Sequence, residues 1–181
     1  MNGSCHFVYS LSVCSMVAVN LDRIHSVLPN LSFEPSTLTL IIMGGVVGGI
    51  IPDMDNPKSS IAKITRPLSG IICKVGKKFG RGGKYHRGIL HDPILCIIGL
   101  IISYLFFTPL VGVFIGVLTH LYLDMFTSVG LPLFFGKKYI RFAELNTGGR
   151  NAVLFSYVNV VMAVIMGLGF YNGFFIPITA C

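Results

Sequence analysis

The chain has 181 residues, of which 53% are hydrophobic and only 12% are charged, and its mean hydropathy is +0.77. Soluble domains average about a quarter charged residues, so this composition excludes an ordinary soluble domain. The net charge of +7 could attract nucleic acid. However, no aromatic side chains alternate with the basic residues, as a surface for single-stranded nucleic acid requires, so nucleic acid is not an expected partner.

Five apolar runs follow one another along the chain and predict membrane-spanning helices. They are Cys5–Leu21, Thr37–Ile51, Pro93–Phe107, Val111–Phe126 and Ala152–Tyr171. A spanning helix needs about 20 mostly apolar residues, and several of these runs are shorter, so we predict four to five spans. The predicted fold class is an all-α, polytopic membrane bundle that forms a single domain over residues 1–181.

The second apolar run contains a cluster of small residues. Its glycines are Gly44, Gly45, Gly48 and Gly49, which gives the spacing GxxxG twice. In lipid, small residues at this spacing let two helix backbones approach closely. We therefore expect the second helix to pack tightly against its neighbours.

Basic residues orient the chain in the membrane. Nine of the 14 Lys and Arg residues lie between Lys58 and Arg87, and four more lie between the fourth and fifth runs. Because loops rich in Lys and Arg stay in the cytoplasm, both basic loops are predicted to be cytoplasmic. The N-terminus is then also cytoplasmic, and the C-terminus lies outside.

The first basic loop, residues 58–87, has a helical pattern of its own. Apolar residues recur every three or four positions, with Lys and Arg between them; they include Ile61, Ile64, Leu68, Ile71 and Val75. This pattern is typical of an amphipathic helix on an anionic membrane surface, which makes membrane lipid an expected partner. Pro67 should break or kink the helix. The alternative is a solvated cationic linker.

Most of the histidines and several acidic residues stand at the ends of the predicted spans. They are His6 at the start of the first span, Asp53 and Asp55 after the second, His86, His91 and Asp92 before the third, and His120 and Asp124 at the end of the fourth. Odd-numbered spans begin, and even-numbered spans end, on the same side of the membrane. Span order alone therefore predicts that these residues meet at the cytoplasmic boundary.

His120 and Asp124 are four residues apart on one helix and therefore share a face. An ionisable group in an apolar run is costly and usually functional, and histidine with carboxylate suits zinc, manganese or iron. Asp53 and Asp55 could bridge two metal ions, or one could bind while the other orients a histidine. Any one of these residues could instead be a hydrogen-bonded core residue, but their convergence favours a metal site.

The order of these motifs carries a family resemblance. The chain reads MxGxxH at residues 1–6, PDMD at 52–55, HRGxxHD at 86–92, HxxxDxxTxxGLPL at 120–133 and NTG at 146–148. In this order it resembles the LexA-binding, inner-membrane-associated hydrolases, also described as membrane-bound metal-dependent hydrolases. The motif order is also similar to that of the zinc-dependent phospholipase C and P1-type nuclease superfamily, which is all-helical.

The resemblance implies a set of ligands for a divalent metal ion, with zinc favoured. The implied ligands are His6, Asp53 or Asp55, His86, His120 and Asp124, with His91 as a further candidate. The family usually has Ser where this chain has Asp92, which makes Asp92 an extra ligand or a partner of His91. The phospholipase C pattern continues with later histidines, whereas this chain has none after His120, so we expect one or two ions.

The implied activity is hydrolysis by metal-activated water in a bacterial-type inner (plasma) membrane, with the site on the cytoplasmic side. Arg87 could clamp a phosphate with its planar guanidinium, or it could serve only as a topology charge. Asp55 or Asp92 could act as general base if it is not a ligand. A boundary site suits a substrate with a polar head and an apolar tail, such as a phospholipid or polyprenyl phosphate.

Two other functions are compatible with these residues. One is a non-catalytic membrane protein whose metal site is structural or whose role is to bind a regulatory partner. The other is a small ion transporter that relays ions through Asp53, His120 and Asp124. Transport is disfavoured because the ionisable residues all lie at one boundary and the far side has none to continue a path.

Overall fold

The computed structural model describes residues 3–21, 24, 35–78, 87, 89–133 and 138–173. The α-helices described there are α1 (Gly3–Val19), α2 (Pro35–Gly48), α3 (Ser60–Ile64), α4 (Arg66–Lys78), α5 (Pro93–Phe106), α6 (Val111–Met125) and α7 (Arg150–Tyr171). Short 3₁₀ turns cover Ile51–Asp55, Ile89–His91 and Thr108–Leu110, and a small antiparallel hairpin pairs β1 (Leu131–Leu133) with β2 (Lys138–Ile140). The predicted helical fold class is confirmed.

Each of the five apolar runs forms a helix, but the helices differ in length. Within the described residues, three segments are long and apolar enough to cross a membrane: Ser36–Asp55, Thr108–Met125 and Arg150–Tyr171. Gly3–Val19 has 17 residues and Pro93–Phe106 has 14, which is shorter than the roughly 20 that a bilayer requires. The total of four to five spans therefore stays a prediction.

Helix α2 packs against α1 and α6 through its glycines. A side chain at Gly48 would overlap the backbone carbonyl of Val113 on α6, and one at Gly45 would overlap Cys14 Sγ on α1. On α6, a side chain at Gly116 would overlap the carbonyl of Gly45. The close packing predicted from the GxxxG spacing is confirmed. We call the contact among these three helices the glycine seam.

One face of α1 is buried in the glycine seam and sets the position of His6. The buried residues His6, Ser10, Cys14 and Ala18 recur every fourth position, so they form a single stripe along the helix. Ser10 Oγ shares a hydrogen bond with Thr119 Oγ1 of α6. The stripe therefore brings the first turn of α1 against the last turns of α6.

Helix α7 covers the outer side of α1 and leaves most of its own surface exposed. Gly167 of α7 packs against Met16, and Asn20 Nδ2 donates to the Gly167 carbonyl at 3.0 Å. Tyr122 Oη donates to Asn159 Oδ1 at 3.1 Å, which ties α6 to α7. The remaining exposed side chains of α7 are mostly apolar, as expected for a helix solvated by lipid.

The described part of the first basic loop, residues 58–78, contains two helices with a break before Pro67. Helix α3 is capped by Ser59, whose Oγ accepts from the Ala62 amide at 3.1 Å. It ends at Ile64, and α4 starts at Arg66 with Pro67 in its first turn, where proline is tolerated. The break predicted at Pro67 is confirmed.

Helix α4 is docked on one side and bare on the other. Ser69 Oγ donates to the Met54 carbonyl at 2.7 Å, and Cys73 Sγ donates to the Asp55 carbonyl at 3.3 Å. The other side of α4 carries the exposed apolar residues Leu68, Ile71 and Val75. Ile64, the last residue of α3, is also apolar and exposed. We call these four residues the apolar stripe.

The chain after α6 folds back over the end of that helix. The Phe142 amide donates to the Met125 carbonyl at 2.8 Å, and the Leu145 amide donates to the Phe126 carbonyl at 3.1 Å. Gly130 has a φ of 71° and a side chain there would crowd the Ile140 carbonyl, so glycine is required at this turn. The turn brings the Gly130 carbonyl to the side chain of Arg87.

Candidate metal centre

Five side chains from four parts of the chain meet at one end of the glycine seam. They are His6 on α1, Asp53 after α2, His91 before α5, and His120 and Asp124 on α6. All are buried except Asp53, whose side chain is 27% exposed. The structure thus brings together these predicted ligands, whereas His86 lies outside the described residues.

The two ring nitrogens of His120 have different surroundings. Its Nδ1 lies 2.7 Å from the carbonyl oxygen of Gly49. A carbonyl can only accept, so Nδ1 carries a proton, and in the neutral form of the ring the lone pair is on Nε2. Nε2 is buried without a hydrogen-bond partner among the described residues, and it lies 3.6 Å from Asp124 Oδ2 and 3.9 Å from Asp53 Oδ1. A cation would complete this arrangement.

His91 is held in the same way by a carboxylate. Its Nδ1 lies 3.1 Å from Asp55 Oδ2, and its Nε2 lies 3.5 Å from Asp124 Oδ2. Metal-binding histidines commonly donate the second ring N–H to a carboxylate or carbonyl, which fixes the ring and its tautomer. The two carboxylates of the PDMD motif have different neighbours, because Asp55 contacts His91 Nδ1 while Asp53 lies 3.9 Å from His120 Nε2. Whether they bridge two ions, or one binds while the other orients a histidine, stays a prediction.

His6 and Asp124 complete the cluster. The His6 ring stacks on His120 with centroids 3.7 Å apart, and His6 Nε2 lies 3.4 Å from Asp124 Oδ1. Two groups could each hold an ion, the first being His6, His120 and Asp124 and the second Asp53, His91 and His120. Both groups use His120, whose single lone pair can serve only one ion.

The spacing of the donor atoms fits a small divalent ion. Zinc lies about 2.0–2.2 Å from nitrogen and oxygen ligands in a tetrahedral site, which places neighbouring donors about 3.4 Å apart by simple geometry. The distances from the histidine Nε2 atoms to the carboxylate oxygens are 3.4, 3.5, 3.6 and 3.9 Å. Donor type, spacing and the unpartnered nitrogen of His120 therefore all fit a metal ion.

Arg87 is engaged by the protein around Asp124. Its Nη2 lies 2.7 Å from Asp124 Oδ2 and donates to Thr127 Oγ1 at 2.9 Å, while its Nη1 donates to the Asp124 carbonyl at 3.3 Å and to the Gly130 carbonyl. Burial lowers the pKa of the guanidinium, and the Asp124 carboxylate opposes that shift. Arg87 thus positions Asp124. The phosphate clamp stays a prediction that these contacts do not favour.

Asp92 serves as the N-cap of α5. Its Oδ1 accepts from the Ile94 amide at 3.0 Å, and Pro93 occupies the first helical position. Asp92 is buried beside His91 in the sequence but belongs to neither of the two ligand groups. The cap explains an aspartate at this position without chemistry, and its predicted role as a ligand or general base stays a prediction.

The group that orients His120 was not predicted from the sequence. The partner is the backbone carbonyl of Gly49, which no side-chain pattern reveals. The glycine cluster was the only sequence feature that pointed to this contact. Any larger residue in place of Gly49 would overlap Ser10, and the Gly49 carbonyl would then move away from α6.

The chain was compared with known families and proteins. The sequence model of the family described as YdjM inner membrane protein matches residues 1–175. The chain is 28% identical over 102 residues to the inner membrane protein YdjM of Escherichia coli (strain K12), an alignment that covers 51% of this chain and 47% of that protein. The alignment with YdjM of Shigella flexneri has the same identity and coverage. The chain thus spans about half the length of these curated relatives.

A further relative aligns over a larger share of the chain. The chain is 27% identical over 138 residues to the uncharacterized protein YvsG of Bacillus subtilis (strain 168), and the alignment covers 75% of this chain and 73% of that protein. No solved structure gives a significant match. Because the family model matches almost the whole chain, the protein belongs to the YdjM inner membrane protein family.

Proposed function

We propose that this protein is a membrane-embedded, metal-dependent hydrolase that cleaves a phosphate ester of a lipid or lipid-linked substrate. The observation that carries the proposal is the geometry of His120. Its Nδ1 is fixed by the Gly49 carbonyl, and its Nε2 faces Asp53 and Asp124 with no hydrogen-bond partner among the described residues. Such a buried nitrogen is costly unless it binds something, and a divalent cation is the ligand that this donor set suits.

Each residue has a distinct task in the proposed site. His6, His91, His120, Asp53 and Asp124 would hold the ion, and Asp55 would keep His91 in the correct tautomer. Arg87 holds the Asp124 carboxylate in place. When bound, the metal supplies Lewis acidity and acidifies water that it coordinates.

The exposure of Asp53 supports catalysis over a purely structural site. Structural zinc sites are closed, whereas catalytic sites keep an open position. The side chains of His6, His120 and Asp124 are at most 3% exposed, whereas Asp53 is 27% exposed. One edge of the cluster therefore faces outward, where a substrate could approach. The resemblance to zinc-dependent phospholipase C supports a phosphate ester as that substrate.

The alternative is a structural metal site in a protein that binds a regulatory partner, as the LexA-binding resemblance would imply. The burial of most of the cluster is the observation that favours it. The two functions differ in one measurable property, because only the hydrolase turns over a phosphate ester when loaded with metal.

The test compares metal content and hydrolysis in two variants of α6. His120→Ala should reduce bound metal, measured by elemental analysis of the purified protein in detergent, to background. Tyr122→Phe is the matched control, because Tyr122 lies on the same helix and bonds Asn159 outside the cluster; it should keep its metal. Unchanged metal content in His120→Ala would disprove the site. Full metal loading without hydrolysis of any phosphate ester tested would favour the structural alternative.

A further inference from the structure

A cleft opens beside the exposed edge of the metal centre. It has a volume of about 590 Å³ and lies between the start of α1, the segment from Ile50 to Ile64 and the loop at Thr147 and Gly148. Asp53 lines this cleft and also belongs to the ligand cluster. The cleft therefore leads directly to the place where an ion would be bound.

Both polar and apolar residues line the cleft. Lys58, Ser59 and Thr147 are among the polar ones, and Ile50, Ile61 and Ile64 supply what we call the apolar wall. Lys58 is exposed, so its flexible ammonium can approach a bound anion. Among the described residues, a cleft lined by a lysine, an apolar wall and the candidate metal ligand Asp53 suits an anionic group attached to a hydrocarbon chain.

Lys58 is better suited than Arg87 to the phosphate contact that was predicted for Arg87. Both terminal nitrogens of Arg87 already donate to Asp124, Thr127 and Gly130. The Lys58 side chain, in contrast, is exposed and forms no ion pair with any residue that the structure describes. The charge available for a substrate phosphate in the cleft is therefore that of Lys58.

The cleft shares one exposed apolar residue with the apolar stripe. Ile64 lines the cleft and is 79% exposed. It is also the first residue of the apolar stripe, which runs on through Leu68, Ile71 and Val75. Lys63, Arg66 and Lys74 flank this stripe and are exposed, which suits an anionic membrane surface. An amphiphile leaving that surface could follow the stripe into the cleft.

We propose that this cleft binds the phosphate headgroup of an amphiphilic substrate, with Lys58 contacting the phosphate and Ile61 and Ile64 contacting the first part of its hydrocarbon chain. The proposal rests on the proposed function in naming the phosphate as the reacting group. It adds the residues that select the substrate and the direction from which the substrate arrives.

The first experiment measures binding rather than turnover. The full chain in detergent, loaded with zinc, is titrated calorimetrically with a non-hydrolysable dihexanoyl phosphonate lipid and, separately, with inorganic phosphate. Lys58→Gln should weaken the binding of both by about 10-fold or more, the usual effect of losing a charge-assisted hydrogen bond. Lys63→Gln is the matched control, because Lys63 is an exposed lysine of the same segment outside the cleft. Equal affinities in the two variants would overturn the proposal.

The second experiment separates a lipid headgroup from free phosphate. Ile64→Ser should weaken the binding of the phosphonate lipid and leave the affinity for inorganic phosphate unchanged. Ile71→Ser, which alters the apolar stripe outside the cleft, should change neither affinity. If the wild-type protein binds inorganic phosphate as tightly as it binds the lipid, the apolar wall contributes nothing to affinity. The proposal that the cleft binds an amphiphile is then disproved.

The failure of this proposal can be distinguished from failure of the proposed function. Binding that depends on Lys58 without any hydrolysis would support the headgroup cleft and contradict the hydrolase. Hydrolysis that depends on His120 but not on Lys58, together with equal affinities in the Lys58 and Lys63 variants, would keep the hydrolase and overturn the cleft.

Discussion

The glycine seam and helix α4 both adjoin the candidate metal centre, but they are packed in opposite ways. In the seam, α1, α2 and α6 approach so closely that a Cβ at Gly48 or Gly116 would overlap backbone atoms of the neighbouring helix. Helix α4 is docked on the Ile51–Asp55 turn through Ser69 and Cys73 and leaves its apolar stripe bare. Packing therefore fixes the positions of the candidate ligands on α1 and α6, while the exposed side of α4 makes no such close contacts.

From this difference we expect the glycine seam to set the geometry of the ligand cluster and α4 to meet the membrane surface. His6, His120 and Asp124 must stay within a few tenths of an ångström to bind one ion, and closely packed backbones provide that precision. An amphipathic helix needs no such precision, since its affinity for a membrane depends on apolar area and charge. Substitutions in the two regions should therefore have very different consequences.

The largest effect is expected from a side chain added to the glycine seam. Gly116→Val would place its Cβ against the Gly45 carbonyl and the Gly49 amide, which should destabilise the bundle by about 3 kcal/mol. The same change should displace the Gly49 carbonyl from His120 and lower metal content. Stability can be measured by unfolding in mixed detergent micelles with SDS.

The control for this change lies on α4. Gly70→Ala adds a methyl group where nothing lies within 4 Å, and an exposed helical alanine should stabilise the protein by about 0.5–1 kcal/mol. A similar loss of stability in both variants would mean that the two regions are packed equally and that the contrast is wrong.

An intermediate effect is expected at Asp55, where the two regions touch. Its carboxylate holds His91, and its carbonyl accepts from Cys73 of α4. Asp55→Asn should weaken zinc binding about 10-fold, as is usual when a carboxylate that orients a metal-binding histidine is altered. Competition with a chromogenic chelator would give the affinity.

Asp92→Asn is the matched substitution for Asp55→Asn. Asparagine caps a helix as well as aspartate does, so α5 should keep its cap and zinc affinity should not change. If Asp92→Asn loses zinc affinity as much as Asp55→Asn, then Asp92 acts on the metal as sequence analysis predicted, and the capping interpretation is incomplete.

The smallest effect concerns α4 alone and tests what surrounds it. A spin label at position 71, on the apolar stripe, should be reached by oxygen dissolved in the bilayer and should lie about 5–10 Å deep in the headgroup region. A label at position 70, on the flank that carries the cations, should be reached by a water-soluble relaxation agent. Equal exposure of both labels to water would establish the solvated linker that sequence analysis kept as the alternative.

Much of the fold was predictable because lipid imposes a strong and simple constraint. Apolar runs such as Pro93–Phe107 had to become helices, since a buried backbone must satisfy its own hydrogen bonds. The break before Pro67 followed from the missing N–H of proline. The β1–β2 hairpin was not predicted, because its strands have three residues each and short strands leave no clear periodicity.

The convergence of the candidate ligands was predictable, but their individual contacts were not. Span order predicted that His6, Asp53, His91, His120 and Asp124 meet at one end of the bundle, as they do in the structure. Span order could not tell the neighbours of Asp53 from those of Asp55, since both residues lie in the same 3₁₀ turn and only their side-chain directions differ. The cytoplasmic placement of the site stays a prediction from the basic loops.

The acidic groups around His120 have a consequence for the kind of ion that the candidate site would suit. Asp53, Asp55, Asp92 and Asp124 lie in the cluster or directly beside it, against the single guanidinium of Arg87. A buried excess of acidic groups is costly without a counter-charge. A dication would offset more of this excess than a monovalent ion, so we expect electrostatics to favour a dication before ligand geometry distinguishes one dication from another.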